Sequence, residues 1–397
     1  MSVRTAVVLA AGEGTRLRPL TRNRPKPMLP AANRPILEHV FDALIAAGME
    51  RIVVVVGYKH DRVQEYFGPR YRDVPLTYVM QEKQLGSGHA LLQARSAVDE
   101  PAVVLNGDRL IEAEMIHDVI AAFTDHDGTA ALSVVERPDT RQYGAVSLRN
   151  GEIVEIVEKP DTDEYRLING GVYAFDPGIF AAIADTPRQE GELALTDTIA
   201  RLVERERVRG VKTGGMWVDA TYPWDLLTVA REVLARGRTV EPEREPSVWV
   251  DENARVHESA TLQPPVVVGP DCEVGPGTVV GPDAALGRNV TVGANTTVSR
   301  SVLDADTRAD AGSTLLDTVT GQDVRIGAGS VVPGGRAEVC IDGRMFDDQH
   351  LGAVLADRVR ADGCVSFAPG SLVGPSAHLH TGVHVSGQID EGVEVVR

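Results

Sequence analysis

Beyond residue 250 the chain carries a repeat that neither a helix nor an ordinary strand can satisfy. Val256, Leu262, Val268, Val274, Val280, Leu286, Val292 and Val298 recur every six residues without a break. Gly269, Gly275, Gly281, Gly287 and Gly293 follow five of them in succession. A helix repeats its faces about every 3.6 residues and a strand every second residue, so a period of six fits neither. It fits a parallel β-helix, where each triangular coil has three short faces and each face turns one aliphatic inward. Glycine at the next position permits the tight corner. The repeat blurs between residues 300 and 365, then returns at Phe367, Val373, Leu379 and Val385. The blurred stretch reads either as a looped-out functional segment or as drift. Such a solenoid needs its faces covered, and side-by-side trimers are the expected assembly.

The N-terminal part follows another grammar. Short β-branched runs at Ala6–Ala10, Ile52–Val56, Thr77–Met80 and Ala102–Leu105 predict strands of a parallel α/β sheet. Further strands are expected at Ala130–Val135, Ala145–Leu148, Ile153–Val157 and Gly171–Phe175. Ile36, Leu37, Val40, Phe41, Leu44 and Ile45 have helical spacing, and that helix should stop at Gly48. Helices are also predicted over 195–205 and 223–236. A polar, proline-bearing segment at 237–247 reads as a linker. The expected division is therefore a domain at 1–236, a linker at 237–247 and a β-helix at 248–397.

Charge and cysteine content exclude several classes. Forty basic against 57 acidic residues give a net charge of −17, which repels nucleic acid and anionic membranes. No apolar run approaches the length of a membrane span, and Met1-Ser2-Val3-Arg4 leads into a strand-like run rather than a signal peptide, so a cytoplasmic protein is expected. Cys272, Cys340 and Cys364 lack the spacing of a zinc site and read as small buried apolar residues. Lysine occurs only at positions 26, 59, 83, 159 and 212. An acidic, lysine-poor surface suggests adaptation to high salt, where screening relieves self-repulsion; a GC-rich genome favouring arginine is the alternative.

The chemistry-bearing string is Leu9-Ala10-Ala11-Gly12-Glu13-Gly14-Thr15-Arg16, followed by Pro25-Lys26-Pro27. A glycine-rich loop directly after a first strand brings backbone N–H groups against phosphate oxygens. Arg16 adds a fork of donors, and Lys26 offers a point charge on a segment stiffened by two prolines. The whole string resembles the fingerprint of the sugar-1-phosphate nucleotidylyltransferases, and the resemblance covers essentially the full chain. It implies a Rossmann-like α/β domain followed by a left-handed β-helix. It also implies Mg²⁺-dependent attack of a sugar 1-phosphate on a nucleoside triphosphate, with pyrophosphate leaving.

Residue by residue, the resemblance assigns Leu9, Ala10, Ala11, Gly12, Gly14 and Thr15 to the nucleotide, with Arg16 and Lys26 on its phosphates. Gln81 would meet a pyrimidine edge, with Gly86 and Ser87 completing the base pocket. Asp108 and Asp219 would hold Mg²⁺, a cation that takes few protein ligands. Asp225 competes with Asp219 for that role but reads better as a helix N-terminal residue. Gly144, Glu158 and Asn169 would receive the sugar, and Lys159 its phosphate. Arg109 departs from the pattern, because relatives carry a neutral residue there. It would either compete with the metal or contact a phosphate.

Bifunctional relatives place an acetyltransferase histidine where this chain has Thr307–Gly312, and Gly334 replaces an asparagine. With no lysine beyond 212, a degenerate acetyltransferase domain serving assembly or regulation is expected. His378, His380 and His384 read as solvated residues, with metal binding as the alternative. A working acetyltransferase, a catalytically silent regulatory subunit and a mannose-1-phosphate guanylyltransferase remain as competing readings. UTP and dTTP are not distinguished, nor are glucose and N-acetylglucosamine 1-phosphates.

Overall fold

The computed structural model describes residues 3–125, 129–138, 140–162 and 164–397. The first two residues of the Met1–Arg4 start therefore lie outside the described residues. By compactness the chain divides into two units. One comprises Met1–Glu13 with Leu37–Val218, the other Gly14–Ile36 with Asp219–Arg397. Residues 14–36 and 219–236 thus group with the β-helix, although their sequence grammar is that of the α/β part.

The first unit is built on a ten-stranded sheet. Its strands are β1 (Thr5–Ala10), β2 (Arg51–Val56), β3 (Arg70–Tyr71), β4 (Val74–Met80), β5 (Ala102–Asn106), β6 (Ala130–Glu136), β7 (Gly144–Arg149), β8 (Glu152–Glu158), β9 (Leu167–Phe175) and β10 (Val208–Lys212). The spatial order is β7-β8-β10-β6-β9-β5-β1-β2-β4-β3. Strands β5, β1, β2 and β4 are mutually parallel, and β1, β2 and β5 are almost wholly buried, as their unbroken valine runs require.

The sheet is not parallel throughout, which corrects the sequence expectation. Strand β9 runs antiparallel to both β5 and β6, and β7 antiparallel to β8. For β7 and β8 the cause is connection length. Asn150 and Gly151, both at positive φ (54° and 77°), make a two-residue hairpin between β7 and β8. A parallel return would need a crossover of about a dozen residues or more.

Strand β1 leads through helix α1 (Ile36–Ala46) to β2 on one side, and the chain later returns to β1's other side at β5. This reversal is a topological switch point, and the crevice it opens lies beyond the carboxyl ends of β1 and β5. Gly48, at φ 82°, ends the turn after α1 as expected.

In the second unit, three sheets of nine, eight and seven strands, parallel apart from the Glu243–Glu245 edge strand, stack as the faces of a β-helix. Val250, Val268 and Leu286 stand in one inward column at 18-residue intervals. The next step, Leu286 to Leu303, is 17 residues. That one-residue contraction shifts the sequence period without opening the core. Further on, Thr320 sits in the same column, fully buried, its hydroxyl accepting from Asp304 N at 2.9 Å. Between Val319 and its partner Val354 the chain extrudes a hairpin, Arg336–Ile341 with Arg344–His350. The blurred repeat therefore combines a shortened coil, a polar inward residue and an inserted hairpin.

Segment 237–247 holds structure of its own. Glu243–Glu245 pairs antiparallel with Val248–Val250, and Glu241 is buried, accepting from Asn33 Nδ2. Cys272 is buried as expected, its Sγ donating to Gly287 O and its thiol pushed up to about 12 by burial. Cys340 and Cys364 are exposed, contrary to expectation, because neither occupies an inward column.

Candidate active site

In the first unit the crevice is closed at its base by backbone. Gly107 N donates to Leu9 O at 2.9 Å, joining the ends of β1 and β5. A Cβ on Gly107 would lie 3.0 Å from Val8 Cγ1 and 3.1 Å from Ala10 Cβ, so the approach requires glycine. Asp108 follows directly and is half-buried. Ala11 O accepts from Gln84 Nε2 at 3.1 Å, and Ala10 and Ala11 are buried. Gly12 differs: a Cβ there would meet nothing within 4 Å. Its freedom from side-chain bulk serves no packing in the protein, which leaves space for a ligand to approach the backbone.

Gln81, at the end of β4, is buried. Its Nε2 lies 3.2 Å from Gly86 O and 2.9 Å from His89 Nδ1. Burial, and secondarily Arg188, lowers the His89 pKa, which favours the neutral ring, able to accept at Nδ1 in the Nε2–H tautomer. The carboxamide nitrogen is then engaged within the protein and the carbonyl is the part left to orient. Gly86, at φ 97°, opens helix α2 (Ser87–Gln93); a Cβ there would sit 2.5 Å from Leu193 O. Ser87 Oγ accepts from Leu195 N at 3.0 Å, stitching this turn to residues 193–195. His89 was not singled out from sequence, because a lone histidine inside a motif carries no signal without its neighbours.

The sugar-assigned residues converge on one another. A Cβ on Gly144 would lie 3.3 Å from Glu158 Oε2 and 3.6 Å from Asn169 Cβ. Asn169 is buried and its amide is held at both ends, Nδ2 donating to Tyr173 Oη at 2.7 Å and Oδ1 accepting from Gly171 N at 3.0 Å. Glu158 and Lys159 are exposed and 3.9 Å apart. Arg109 points toward this side. Its guanidinium lies 5.2 Å from the Trp217 ring and 5.9 Å from that of Tyr143, with Nη1 donating to Asn169 O at 3.4 Å. Trp217 is itself pinned by Nε1 donating to Gly170 O at 2.8 Å. Sequence reading gave no role to Trp217 or to the ring of Tyr143, since aromatic rings from distant segments meet only after folding.

In the second unit, Gly14 takes φ 66° and its O accepts from Thr21 Oγ1 at 2.8 Å. Thr15 and Arg16 are exposed on the short turn that follows. Lys26 Nζ donates to Asp219 Oδ1 at 3.0 Å, and both side chains are nearly buried. Asp219 Oδ2 also accepts from Thr221 Oγ1 at 3.2 Å. Asp225 begins helix α3 (Asp225–Ala235), and its carboxylate folds back to accept from Thr221 N and Tyr222 N at 2.8 and 2.7 Å. Burial raises its pKa to about 6 against those hydrogen bonds. Arg24 is fully buried, Nη1 donating to Asp304 Oδ2 and Nη2 to Asp357 Oδ1 at 3.2 Å. The hairpin's Phe346 packs on Tyr222 (4.6 Å) and Trp224 (5.3 Å). Neither Arg24 nor Phe346 was legible as a site-supporting residue.

A switch-point crevice with a glycine loop and a buried glutamine defines a nucleotide-binding α/β protein. The chain matches the family model described as "Nucleotidyl transferase" over residues 5–236, and that described as "GMPPB C-terminal domain" over 263–389. It is 32% identical over 403 residues to "Bifunctional protein GlmU" of Methanococcus maripaludis, covering 97% of this chain and 95% of that protein. It is 39% identical over 225 residues to "UTP--glucose-1-phosphate uridylyltransferase AglF" of Haloferax volcanii, covering 55% of this chain and 92% of that one. A crystal structure of UDP-glucose pyrophosphorylase with UDP-glucose matches at TM-score 0.55 and 22% identity, over 60% of this chain and all of that one, a likeness of fold. The chain belongs to the nucleotidyl transferase family, as a sugar-1-phosphate nucleotidylyltransferase.

Proposed function

We propose that the protein couples UTP or dTTP to glucose or N-acetylglucosamine 1-phosphate, forming a nucleoside diphosphate sugar and pyrophosphate. The observation that carries this reading is the buried Gln81 carboxamide, held by His89 and Gly86, in the same unit as the Leu9–Gly107 crevice. A fixed carboxamide offers a hydrogen-bonding edge of the kind a pyrimidine requires. Support comes from the relative named for uridylyl transfer to glucose 1-phosphate.

In this reading Leu9–Gly12, Gly14 and Thr15 cradle the triphosphate, and Gly86 and Ser87 flank the base. Arg16 and Lys26 neutralise charge on the leaving pyrophosphate. Gly144, Glu158 and Asn169 receive the sugar, and Lys159 holds its phosphate. Two anions must meet, so these residues act by charge neutralisation and alignment, without a covalent intermediate.

Each of the two assigned carboxylates suits a hard divalent cation by its oxygen chemistry. Asp108 is a half-buried oxygen donor just beyond Gly107, and Asp219 is a nearly buried one held by Thr221. Asp108 and Asp219 would hold Mg²⁺, which when bound lowers the charge on phosphate oxygens. The contacts of Arg109 with Trp217, Tyr143 and Asn169 O support a role for it on the sugar side.

For the β-helix we propose assembly, as a homotrimer, without acetyl transfer. The Thr307–Gly312 segment has Thr307 buried in a Thr320 hydroxyl pair at 3.0 Å and presents no imidazole. The functional division proposed is 1–236, 237–247 and 248–397, working at high salt in the cytoplasm. Among the described residues no helix is long and apolar enough to cross a membrane. The test is pyrophosphate release with Mg²⁺ in molar KCl, crossing UTP, dTTP, GTP and ATP with glucose, N-acetylglucosamine, galactose and mannose 1-phosphates. One strong pyrimidine pair is expected. Silence across the panel, from folded protein that still binds nucleotide, refutes the reading. Acetylation of glucosamine 1-phosphate by acetyl-CoA would overturn the assembly role, and a monomer by light scattering would overturn the trimer.

A further inference from the structure

Near the C-terminal end of the solenoid, three adjacent coils present outward imidazole and carboxylate groups to one another. His378 and His380 flank the fully buried Leu379, so the alternation of a strand turns both rings to the same outer face. Their rings stack at 4.3 Å. The preceding coil supplies Asp362, one residue past Ala361, which is the register partner of Leu379. Asp362 Oδ1 lies 2.8 Å from His378 Nε2, and Oδ2 lies 3.5 Å from His380 Nδ1. One ligand atom from each of the three lies within 4.8 Å of the other two. The following coil supplies Glu394, the register partner of His378, with Oε2 3.9 Å from His380 Nε2.

His380 Nε2 is buried and has no hydrogen-bond partner. A neutral imidazole that binds a metal through Nδ1 keeps its proton on Nε2, and a carboxylate on that side fixes the tautomer. Glu394 stands on that side. The three ligand side chains are each between 33% and 41% exposed, so a cation can enter. Arg360, the register partner of His378, is the opposing charge; it is exposed and free to turn toward solvent.

We propose that His378 Nε2, His380 Nδ1 and an Asp362 oxygen form a site for a divalent transition metal of the zinc class, with Glu394 orienting His380. Two imidazoles and one carboxylate suit Zn²⁺ or Co²⁺ and do not suit Mg²⁺, which takes oxygen ligands. The ion ties coils 360–362 and 378–380 together. The site is separate from the residues assigned to nucleotidyl transfer and does not depend on that assignment.

The test uses untagged, chelator-stripped full-length protein titrated with Co²⁺ in excess Mg²⁺, followed by visible absorption and by equilibrium dialysis. Saturable uptake of one equivalent is expected, with Zn²⁺ displacing it and raising the melting temperature. The double variant His378→Ala/His380→Ala should bind one equivalent fewer and show no Zn²⁺-dependent melting shift, while retaining wild-type nucleotidyl transfer. Glu394→Ala should weaken binding about tenfold. Absence of saturable Co²⁺ or Zn²⁺ uptake by the wild type overturns the proposal, as does unchanged stoichiometry in the double variant.

Discussion

Replacing Arg24 by methionine keeps most of the buried side-chain volume and removes its charge. Arg24 is 4% exposed and faces two carboxylates, Asp304 and Asp357, whose side chains are 12% and 9% exposed. Its guanidinium is fully buried, and the two acids hold its pKa above the ordinary value despite burial. Without it, both acids stay out of water beside an apolar group. Removing one partner of a buried ion pair costs about 3–5 kcal/mol, mostly the penalty on the charge left behind. Because Arg24 Nε is buried without a partner, the native arrangement is itself imperfect, which argues for the lower end. A loss of ~3 kcal/mol, a factor of about 150 in the folding equilibrium, is the expected outcome.

The assay is denaturant unfolding of the full chain at low salt and in molar KCl. The loss should persist in salt, since buried pairs are screened far less than exposed ones. The triple variant Arg24→Met/Asp304→Asn/Asp357→Asn should recover to within about 1 kcal/mol of wild type, because neutral amides no longer need the cation. Asp357 Oδ1 also accepts from Gln322 N at 2.9 Å, and an asparagine oxygen keeps that bond. Turnover of Arg24→Met should fall as well, because Lys26 lies two residues along the same segment. A loss under about 1 kcal/mol, or a triple variant no better than the single one, would refute the charge argument and leave packing as the cause.

Three further outcomes are expected. Lys26→Ala should cut turnover by orders of magnitude while unfolding stays cooperative, and near-normal steady-state kinetics would remove Lys26 from the mechanism. Gly86→Ala drives a methyl to 2.5 Å from Leu193 O at a φ of 97°; it should cost about 1–3 kcal/mol in melting experiments and raise KM for the nucleotide. Asp225 has a folded pKa of about 6 against 3.8, so the folded state holds its proton longer. That stabilisation is full below about 3.8 and is lost as pH rises through about 6. With burial dominant, Asp219 raising the pKa and Lys26 lowering it, the stability of Asp225→Asn relative to wild type should grow by ~3 kcal/mol as pH rises from about 3.8 to above about 6. A pH-independent difference in stability between the two proteins would contradict this.

Some features of this protein are written in local sequence. The inward columns of the solenoid are visible because every coil repeats one geometric task, so Val268, Val274 and Val280 carry the pattern themselves. The strands of the crevice are visible because burial on both faces demands unbroken β-branched runs, as at Val53–Val56. Gly12 and Gly14 could be placed in a loop directly after a strand, because chain direction and backbone freedom are local properties.

Contacts between distant residues were decided only by folding. Arg24 meets Asp304 and Asp357 some 280 and 333 residues away, and nothing in the Arg24 neighbourhood announces those partners. His89 reads as motif filler until the Gln81 amide is set against it. The antiparallel course of β9, the hairpin carrying Phe346, and the stacking of Asp362 on His378 and His380 depend on register and connection length. Composition and period set which residues face inward, whereas the alignment of one coil or strand with the next sets which polar groups meet, and that alignment exists only in three dimensions.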